Sequence, residues 1–340
     1  MRATAPFRPW RPPLAFWRLE PLPGCAKRDF LSLADFGVAE IAALLDLAAS
    51  VKSHPAAFSG SLEGRAAALI FEKPSLRTRV TFEIGLRHLG AHSIYLSPSD
   101  IALGRREPPL DVARNLACWV DALVVRTFAQ QVLEEMAQAE IPVINALSDL
   151  LHPCQVIADL LALREAKGKL AGLRVAFMGD GNNVAHSLMH GAAKTGIHLS
   201  LATPAGFEPA PDVFRQASAD AEITGATTRL LRDPAEAVRD ADAVYTDVWT
   251  SMGQEEQAEF RKKAFAGYCV DSALFSLARP DAVFMHCLPA HRGEEVTSDV
   301  LDGSRSIALE QARNRLPAHQ AILLAILAGR RPLFPSEGGS

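Results

Sequence analysis

Phe71-Glu72-Lys73-Pro74-Ser75-Leu76-Arg77-Thr78-Arg79 closes an apolar run that begins at Ala67 and opens a helical pattern that reaches Leu89. Ala67–Phe71 has the length and apolar content of a buried strand. Pro74 cannot continue a helix from upstream and Ser75 is a good N-cap residue, so a helix starts at this corner. A strand turning directly into a helix is the unit from which α/β folds are built, and ligands bind where such corners line the carboxyl edge of a parallel sheet. The helix start offers free backbone N–H groups and the positive end of a dipole, which suit a phosphate. Ser75, Arg77 and Thr78 add hydroxyl and guanidinium donors to the same corner. Taken alone, the string is equally well explained as a Ser-capped amphipathic helix whose arginines face water. Its place after a strand is what favours an anion site.

Working outward, the same alternation runs along the whole chain. Strands are expected at Ala67–Phe71, Ser93–Leu96, Ala122–Arg126, Val143–Asn145, Arg174–Met178, Leu199–Thr203, Ala243–Asp247 and Ala282–His286. Helices are expected at Ala39–Ser53, Ser75–Leu89, Asp111–Trp119, Cys154–Ala166, Val184–Thr195, Asp212–Asp220 and Gln311–Ala328. This predicts an α/β protein of two doubly wound parallel-sheet domains, with the site in the cleft between them. A polar seam at Lys167-Gly168-Lys169 divides residues 27–166 from 167–310, and a last helix, 311–330, is expected to fold back on the first domain. No internal repeat is visible.

Composition narrows the class. The 340 residues are 49% hydrophobic and 22% charged, enough for two ordinary cores. A net charge of −4 gives no global field for nucleic acid, so any anion site must be built locally. Cys25, Cys118, Cys154, Cys269 and Cys287 are odd in number, scattered and never paired as C-x-x-C, which argues against a disulfide framework or a zinc cage and for a reducing, cytoplasmic setting. No run of about 18 uninterrupted apolar residues suggests a membrane span. Residues 1–26 carry Arg2, Arg8, Arg11 and Arg18, several prolines and one acid, Glu20. They read as a disordered extension, with an organelle transit peptide as the alternative. The 335–340 tail is expected to fray.

Four more strings carry candidate chemistry. Arg126 ends a strand, where a guanidinium points into a sheet-edge crevice. His152-Pro153-Cys154-Gln155 starts a helix: proline suits the first turn, and His152 before it can aim an N–H at a carbonyl oxygen. Cys154 and Gln155 read as positional there. Met178-Gly179-Asp180-Gly181-Asn182-Asn183 follows a strand, but Val184 occupies the third glycine position of a dinucleotide fingerprint and no acid ends the next strand, so a nicotinamide-type cofactor is not expected. The same turn presents Asn183 to a small polar ligand. Asp247-Val248-Trp249-Thr250-Ser251-Met252-Gly253 offers a carboxylate for an ammonium group, and His286-Cys287-Leu288-Pro289 a cysteine that is a nucleophile, a thiolate base or simply a packed residue.

Together these strings resemble the aspartate and ornithine carbamoyltransferase family, whose phosphate loop reads Ser-Thr-Arg-Thr-Arg. Asp-x-Trp-x-Ser-Met-Gly and His-Cys-Leu-Pro are similar to the ornithine branch, since the aspartate branch has a proline-glycine-proline turn in place of the second. The resemblance covers about residues 27–330. It implies transfer of a carbamoyl group from carbamoyl phosphate to L-ornithine, giving L-citrulline in arginine metabolism, without metal or cofactor, in a homotrimer or a multiple of trimers. It implies Ser75, Leu76 (through its N–H), Arg77, Thr78, Arg126, His152, Cys154, Gln155, Cys287, Leu288 and Arg315 as carbamoyl-phosphate contacts. It further implies Asn183, Asp247, Ser251 and Met252 as ornithine contacts, with Cys287 as proton acceptor and Cys287, His152, Arg126 and Arg315 as the catalytic set.

Two departures stand out: Leu76 replaces the usual Thr, and Ala102 stands where relatives carry a loop Gln that reaches a neighbouring subunit, with Arg105 or Arg106 as candidate substitutes. N-acetylornithine and putrescine enzymes share the phosphate half; Ser251-Met252-Gly253 favours plain ornithine. A non-catalytic scaffold would show broken phosphate residues, and an oxidoreductase fails at Val184. Because the acceptor's side-chain amine is protonated near neutrality, the rate is expected to rise with pH into the alkaline range.

Overall fold

The computed structural model describes residues 27–101, 103, 106–250, 253 and 255–328. The expected extension 1–26, the 335–340 tail, Ala102, Arg105, Ser251 and Met252 lie outside the described residues. In chain order the first half comprises α1 (Val38–Ser53), β1 (Ala66–Phe71), α2 (Leu76–His88), β2 (His92–Leu96), α3 (Pro98–Ile101), α4 (Pro109–Leu116), β3 (Ala122–Arg126), α5 (Gln130–Met136), β4 (Val143–Leu147) and α6 (Pro153–Lys167). The second comprises β5 (Arg174–Met178), α7 (Asn183–Thr195), β6 (His198–Ala202), α8 (Pro211–Thr224), β7 (Thr228–Leu231), α9 (Pro234–Val238), β8 (Ala243–Thr246), α10 (Ala258–Ala264), α11 (Ser272–Phe275), β9 (Val283–His286), α12 (Ser298–Leu301) and α13 (Ala308–Leu327).

The strands form two sheets, ordered β2-β1-β3-β4 and β7-β6-β5-β8-β9, and every pairing in both is parallel. Parallel strands need helical crossovers on both faces, so the central strands are buried throughout: β3 and β8 have no exposed residue. Chain order reverses between β1 and β3 in one sheet and between β5 and β8 in the other. Crevices open at such switch points, beyond the carboxyl ends of the strands.

β7 was not expected from sequence because Thr228-Arg229-Leu230-Leu231 is a short edge strand with exposed central residues. β4 extends past Asn145 to Leu147, and short helices such as α5 and α10 are too brief to show a period.

α6 is buried from Pro153 to Leu163, enclosed on every side, with Gln155 and Asp159 the polar residues within that stretch. It packs against α13 and α7, while α13 also lies against α1 and α2. At the α6–α7 crossing only glycine fits position 191, because a Cβ there would sit 2.7 Å from Val156 Cγ1. Polar bonds fasten the halves as well. The N-terminal half of α7 clasps the loop before α6: Ser187 Oγ accepts from the His152 N–H at 2.7 Å, and the Asn183 amide donates to Ser148 O at 2.6 Å. His186 Nδ1 lies 2.9 Å from Leu150 O. Among the described residues no helix is long and apolar enough to cross a membrane.

Candidate active site

The corner after β1 is built as its residues dictate. Ser75 is extended (φ −157°, ψ 112°) and caps α2, its Oγ accepting from the Thr78 N–H at 3.4 Å. The Leu76 side chain is 75% exposed, so only its backbone can serve the corner. The two arginines that follow part company. Arg77 turns inward and its Nε donates to Leu288 O at 3.3 Å, whereas Arg79 pairs with Glu83 and lies over the Tyr95 ring. Lys73 pairs with Asp149 and sits 4.2 Å from the Phe128 ring centroid, closing one lip.

Arg126 ends β3, His152 caps α6, and Arg315 reaches in from α13. Arg315 donates to Thr78 Oγ1 at 2.6 Å and, through its other terminal nitrogen, to Gln155 Oε1. Three buried nitrogens here have no hydrogen-bond partner: Arg126 Nε, Arg315 Nε and His152 Nδ1. Buried polar atoms are almost always paired, so unpaired ones on residues that border a cavity single those residues out as candidates to meet a ligand.

The electrostatics agree. Burial, then the charges of Arg315 and Arg77, bring the Arg126 guanidinium down to about 10, still cationic at neutral pH. Burial, followed by Arg315, Arg126 and His319, holds His152 well below the usual imidazole range, so its ring is neutral.

Across the cleft, Asp247 follows β8 and Cys287 follows β9. Cys287 Sγ donates to Asp247 Oδ1 at 3.0 Å, and the Asn182 amide donates to Asp247 Oδ2 at 2.8 Å. Asn182 also caps α7 by accepting from Val184 and Ala185. Gly181 is obligatory in this turn, because a Cβ would lie 2.2 Å from Pro209 N. Burial, then the Asp247 carboxylate, pushes the Cys287 thiol well above its ordinary range. With its pKa raised, the Cys287 group is a thiol that donates to Asp247.

Leu288 adopts φ +59°, a left-handed conformation that a branched residue rarely holds unless its surroundings require it. Its N–H donates to His286 Nδ1 at 2.9 Å, His286 Nε2 lies 3.2 Å from Glu295 Oε1, and its carbonyl faces Arg77. Asp247, His286 and Cys287 place ligand-type atoms within 4.8 Å of one another. Each of those side chains already has partners: Asp247 and Cys287 bond to each other, while His286 bonds to the Leu288 N–H and to Glu295.

A single cavity of about 760 Å³ is bordered by Ser75, Leu76, Arg77, Thr78, Arg126, His152, Gln155, Asn183, Asp247, Cys287, Leu288 and Arg315. Cys154 is not among them. Its thiol donates to Asn145 O at 3.2 Å, behind the wall, and burial raises it to about 12. Thr250 and Gly253 border the cavity on either side of Ser251 and Met252. Sequence reasoning missed Arg261, which joins Asp180 at 2.6 Å and Trp249 O at 2.8 Å. Asp180 stood in a noted turn, but a lone arginine in a charged helix carried no signal.

Comparison with known proteins places this geometry. A sequence model for the carbamoyl-P binding domain of aspartate/ornithine carbamoyltransferases matches residues 28–165, and one for the Asp/Orn binding domain matches residues 171–326. The chain is 51% identical over 305 residues to an ornithine carbamoyltransferase of Anoxybacillus flavithermus, covering 88% of this chain and 96% of that protein. Against the Bacillus subtilis ornithine carbamoyltransferase it is 48% identical over 301 residues, covering 88% and 94%. The solved ornithine carbamoyltransferase of Pyrococcus furiosus superposes with a TM-score of 0.87 at 46% identity, covering 89% of this chain and 98% of that one. By fold, cleft and sequence, the chain belongs to the aspartate/ornithine carbamoyltransferase family.

Proposed function

We propose that the protein transfers the carbamoyl group of carbamoyl phosphate to the side-chain amine of L-ornithine, yielding L-citrulline and phosphate. One observation carries the reading: Arg126, Arg315 and His152, each with a buried, partnerless nitrogen, border the same cavity as the Asp247–Cys287 pair. Relatives about half identical over nearly their full length are named for the same reaction.

In this reading residues 27–166 hold carbamoyl phosphate and residues 167–310 hold ornithine, while the terminal helix returns Arg315 to the phosphate half. Ser75, the Leu76 N–H, Arg77 and Thr78 grip the phosphate with Arg126. Arg315 and the neutral imidazole of His152 polarise the carbamoyl oxygen, where negative charge grows as the amine attacks. Gln155 and the Leu288 carbonyl meet the carbamoyl amide. Asn183, Asp247, Ser251 and Met252 hold the amino-acid acceptor, with Asp247 facing an ammonium and the Cys287 thiol completing its hydrogen bonds. Neighbouring cations and desolvation lower the acceptor's amine pKa, so the free amine forms by releasing a proton to solvent, and the proton lost as the C–N bond forms leaves with the departing phosphate. Phosphate leaves readily, so this chemistry asks for neither metal nor cofactor.

We place the enzyme in the cytoplasm as a homotrimer or a multiple of trimers. The free thiols at Cys118, Cys154, Cys269 and Cys287 suit a reducing compartment. The test is a purified-protein assay for carbamoylated product with ornithine, N-acetylornithine, putrescine and aspartate as acceptors. Ornithine is expected to lead by at least about a hundredfold, since a site built around a polar head group rejects analogues that lack it. No citrulline, or a preference for putrescine, overturns the reading.

A further inference from the structure

Behind the carbamoyl end of the cleft lies a carboxylate that the chemistry above does not use. Asp159, one turn after Gln155 on α6, is fully buried and accepts three hydrogen bonds. Gln155 Nε2 and Gln311 Nε2 each lie 2.8 Å from its Oδ1, and the Tyr245 hydroxyl lies 2.8 Å from its Oδ2. The donors come from α6, α13 and β8, so one carboxylate binds together both sheets' layers and the terminal helix. Neither glutamine can turn its amide over. Gln155 gives its oxygen to Arg315, and Gln311 gives its oxygen to the His286 N–H at 2.8 Å, the residue before Cys287. Inverting Gln155 would set oxygen against carboxylate and NH2 against guanidinium; inverting Gln311 would set NH2 against N–H. An amide is nearly symmetric in shape, and the ion at Asp159 is what breaks that symmetry.

We propose that Asp159 is a positioning residue for the carbamoyl subsite: it holds the Gln155 oxygen toward Arg315 and the cleft as an acceptor for the carbamoyl NH2, and through Gln311 it fixes the strand end that carries Cys287 and Leu288. Selectivity follows. Acetyl phosphate has a methyl group where carbamoyl phosphate has NH2, so an acceptor oxygen at Gln155 favours the carbamoyl compound and leaves the phosphate grip untouched.

The inference rests on the carbamoyl-transfer reading, so the full-length wild-type protein is first assayed for citrulline; no turnover there refutes that reading itself. With an active wild type, Asp159→Asn is expected to raise KM for carbamoyl phosphate by roughly tenfold, the loss of one charge-assisted hydrogen bond. Inhibition by inorganic phosphate should stay within about twofold and the melting temperature should not fall, since an amide is easier to bury than a charge. In a Gln155→Met background the same substitution should change that KM by less than about twofold, because the two residues act in series. An equal loss in both backgrounds, a parallel weakening of inorganic phosphate, or no loss at all overturns the proposal.

A second measurement covers the case in which Asp159→Asn does not fold. Burial lifts the Asp159 carboxyl to about 6 against the hydrogen bonds of Gln311, Gln155 and Tyr245 and the charge of Arg315, with the Cys287 thiol the remaining ionisable group facing it. KM for carbamoyl phosphate should therefore rise as pH falls through about 6. Tyr245→Phe, by removing one donor, should move that limb to higher pH. A limb that stays put refutes the proposal.

Discussion

Replacing Arg126 with methionine should make the ligand-free protein more stable while disabling it. The guanidinium is 5% exposed, its Nε has no partner, and Arg315 and Arg77 add like charge. Its pKa falls from 12.5 to about 10, and at about 1.4 kcal/mol per pH unit the fold bears roughly 3 kcal/mol for keeping the charge there. The sign is clear: a base whose folded pKa is depressed costs stability at every pH below about 10, and relief comes only as pH climbs from there toward 12.5. Methionine keeps most of the stem's apolar contact and removes the charge, so a gain of about 1–3 kcal/mol is expected, or roughly 1–4 °C in melting temperature for a chain of this length. Inorganic phosphate at a hundred times its dissociation constant should stabilise the wild type by about 2.7 kcal/mol and leave Arg126→Met almost unmoved. kcat/KM for carbamoyl phosphate should fall by roughly 10²–10³. Differential scanning fluorimetry with and without phosphate, beside a citrulline assay, reads all three. A variant that folds normally yet melts below wild type without phosphate refutes the claim that this cation is held at a cost.

Asp247→Asn should raise KM for ornithine by about 10–100-fold with KM for carbamoyl phosphate nearly constant, the signature of one lost charge-assisted contact; equal effects on both substrates would contradict the division of the cleft. The same substitution removes a carboxylate that holds the Cys287 thiol up, so Cys287 should alkylate faster with iodoacetamide at mildly alkaline pH, and an unchanged rate would show that burial alone sets its reactivity. In the wild type, kcat/KM for ornithine should climb from pH 6 toward pH 9 as the amine loses its proton, with no limb from His152, whose depressed pKa keeps it neutral throughout; a flat profile contradicts this. Gly191→Ala should destabilise by about 1–3 kcal/mol through its 2.7 Å encounter with Val156, and Val156→Ala in the same chain should restore part of that loss, measurable by urea unfolding.

Much of this was legible because short-range chemistry fixed it. Pro74 and Ser75 dictate a helix start whatever surrounds them, and the apolar runs of β1, β3, β5 and β8 have no other low-energy home than a covered parallel sheet. What escaped depends on partners remote in sequence. Cys154 follows His152 and Pro153 on the first turn of α6, yet a helix rotates each residue by about 100°, and that rotation turns its thiol toward Asn145 and away from the cavity. Nothing near Cys287 in the sequence signals that Asp247, forty residues away, places a carboxylate against its thiol. Asp159 was just another acid in a helix until Gln311 and Tyr245 met it. Ionisation states belong to the assembled site, and no single string contains them.

The same reasoning explains why so much unpaired polarity survives inside a packed protein. Arg126, Arg315 and Arg77 repel one another, the nitrogens of Arg126, Arg315 and His152 lack partners, and Leu288 sits in a left-handed conformation beside Arg77. Each feature opposes folding, and a sequence selected for stability alone would remove them. They border one cavity, and in the proposed reaction a phosphate dianion and a developing oxyanion supply the missing acceptors at once. A neutral, well-paired cavity would have to reorient its dipoles as charge moved from the attacked carbon to the leaving phosphate. Here the groups are already held in place, by Asp159 through Gln155, by Thr78 on Arg315 and by Ser187 on the His152 backbone. The reorganisation is done during folding, which is why the most destabilising residues of this fold should also be the ones its chemistry can least spare.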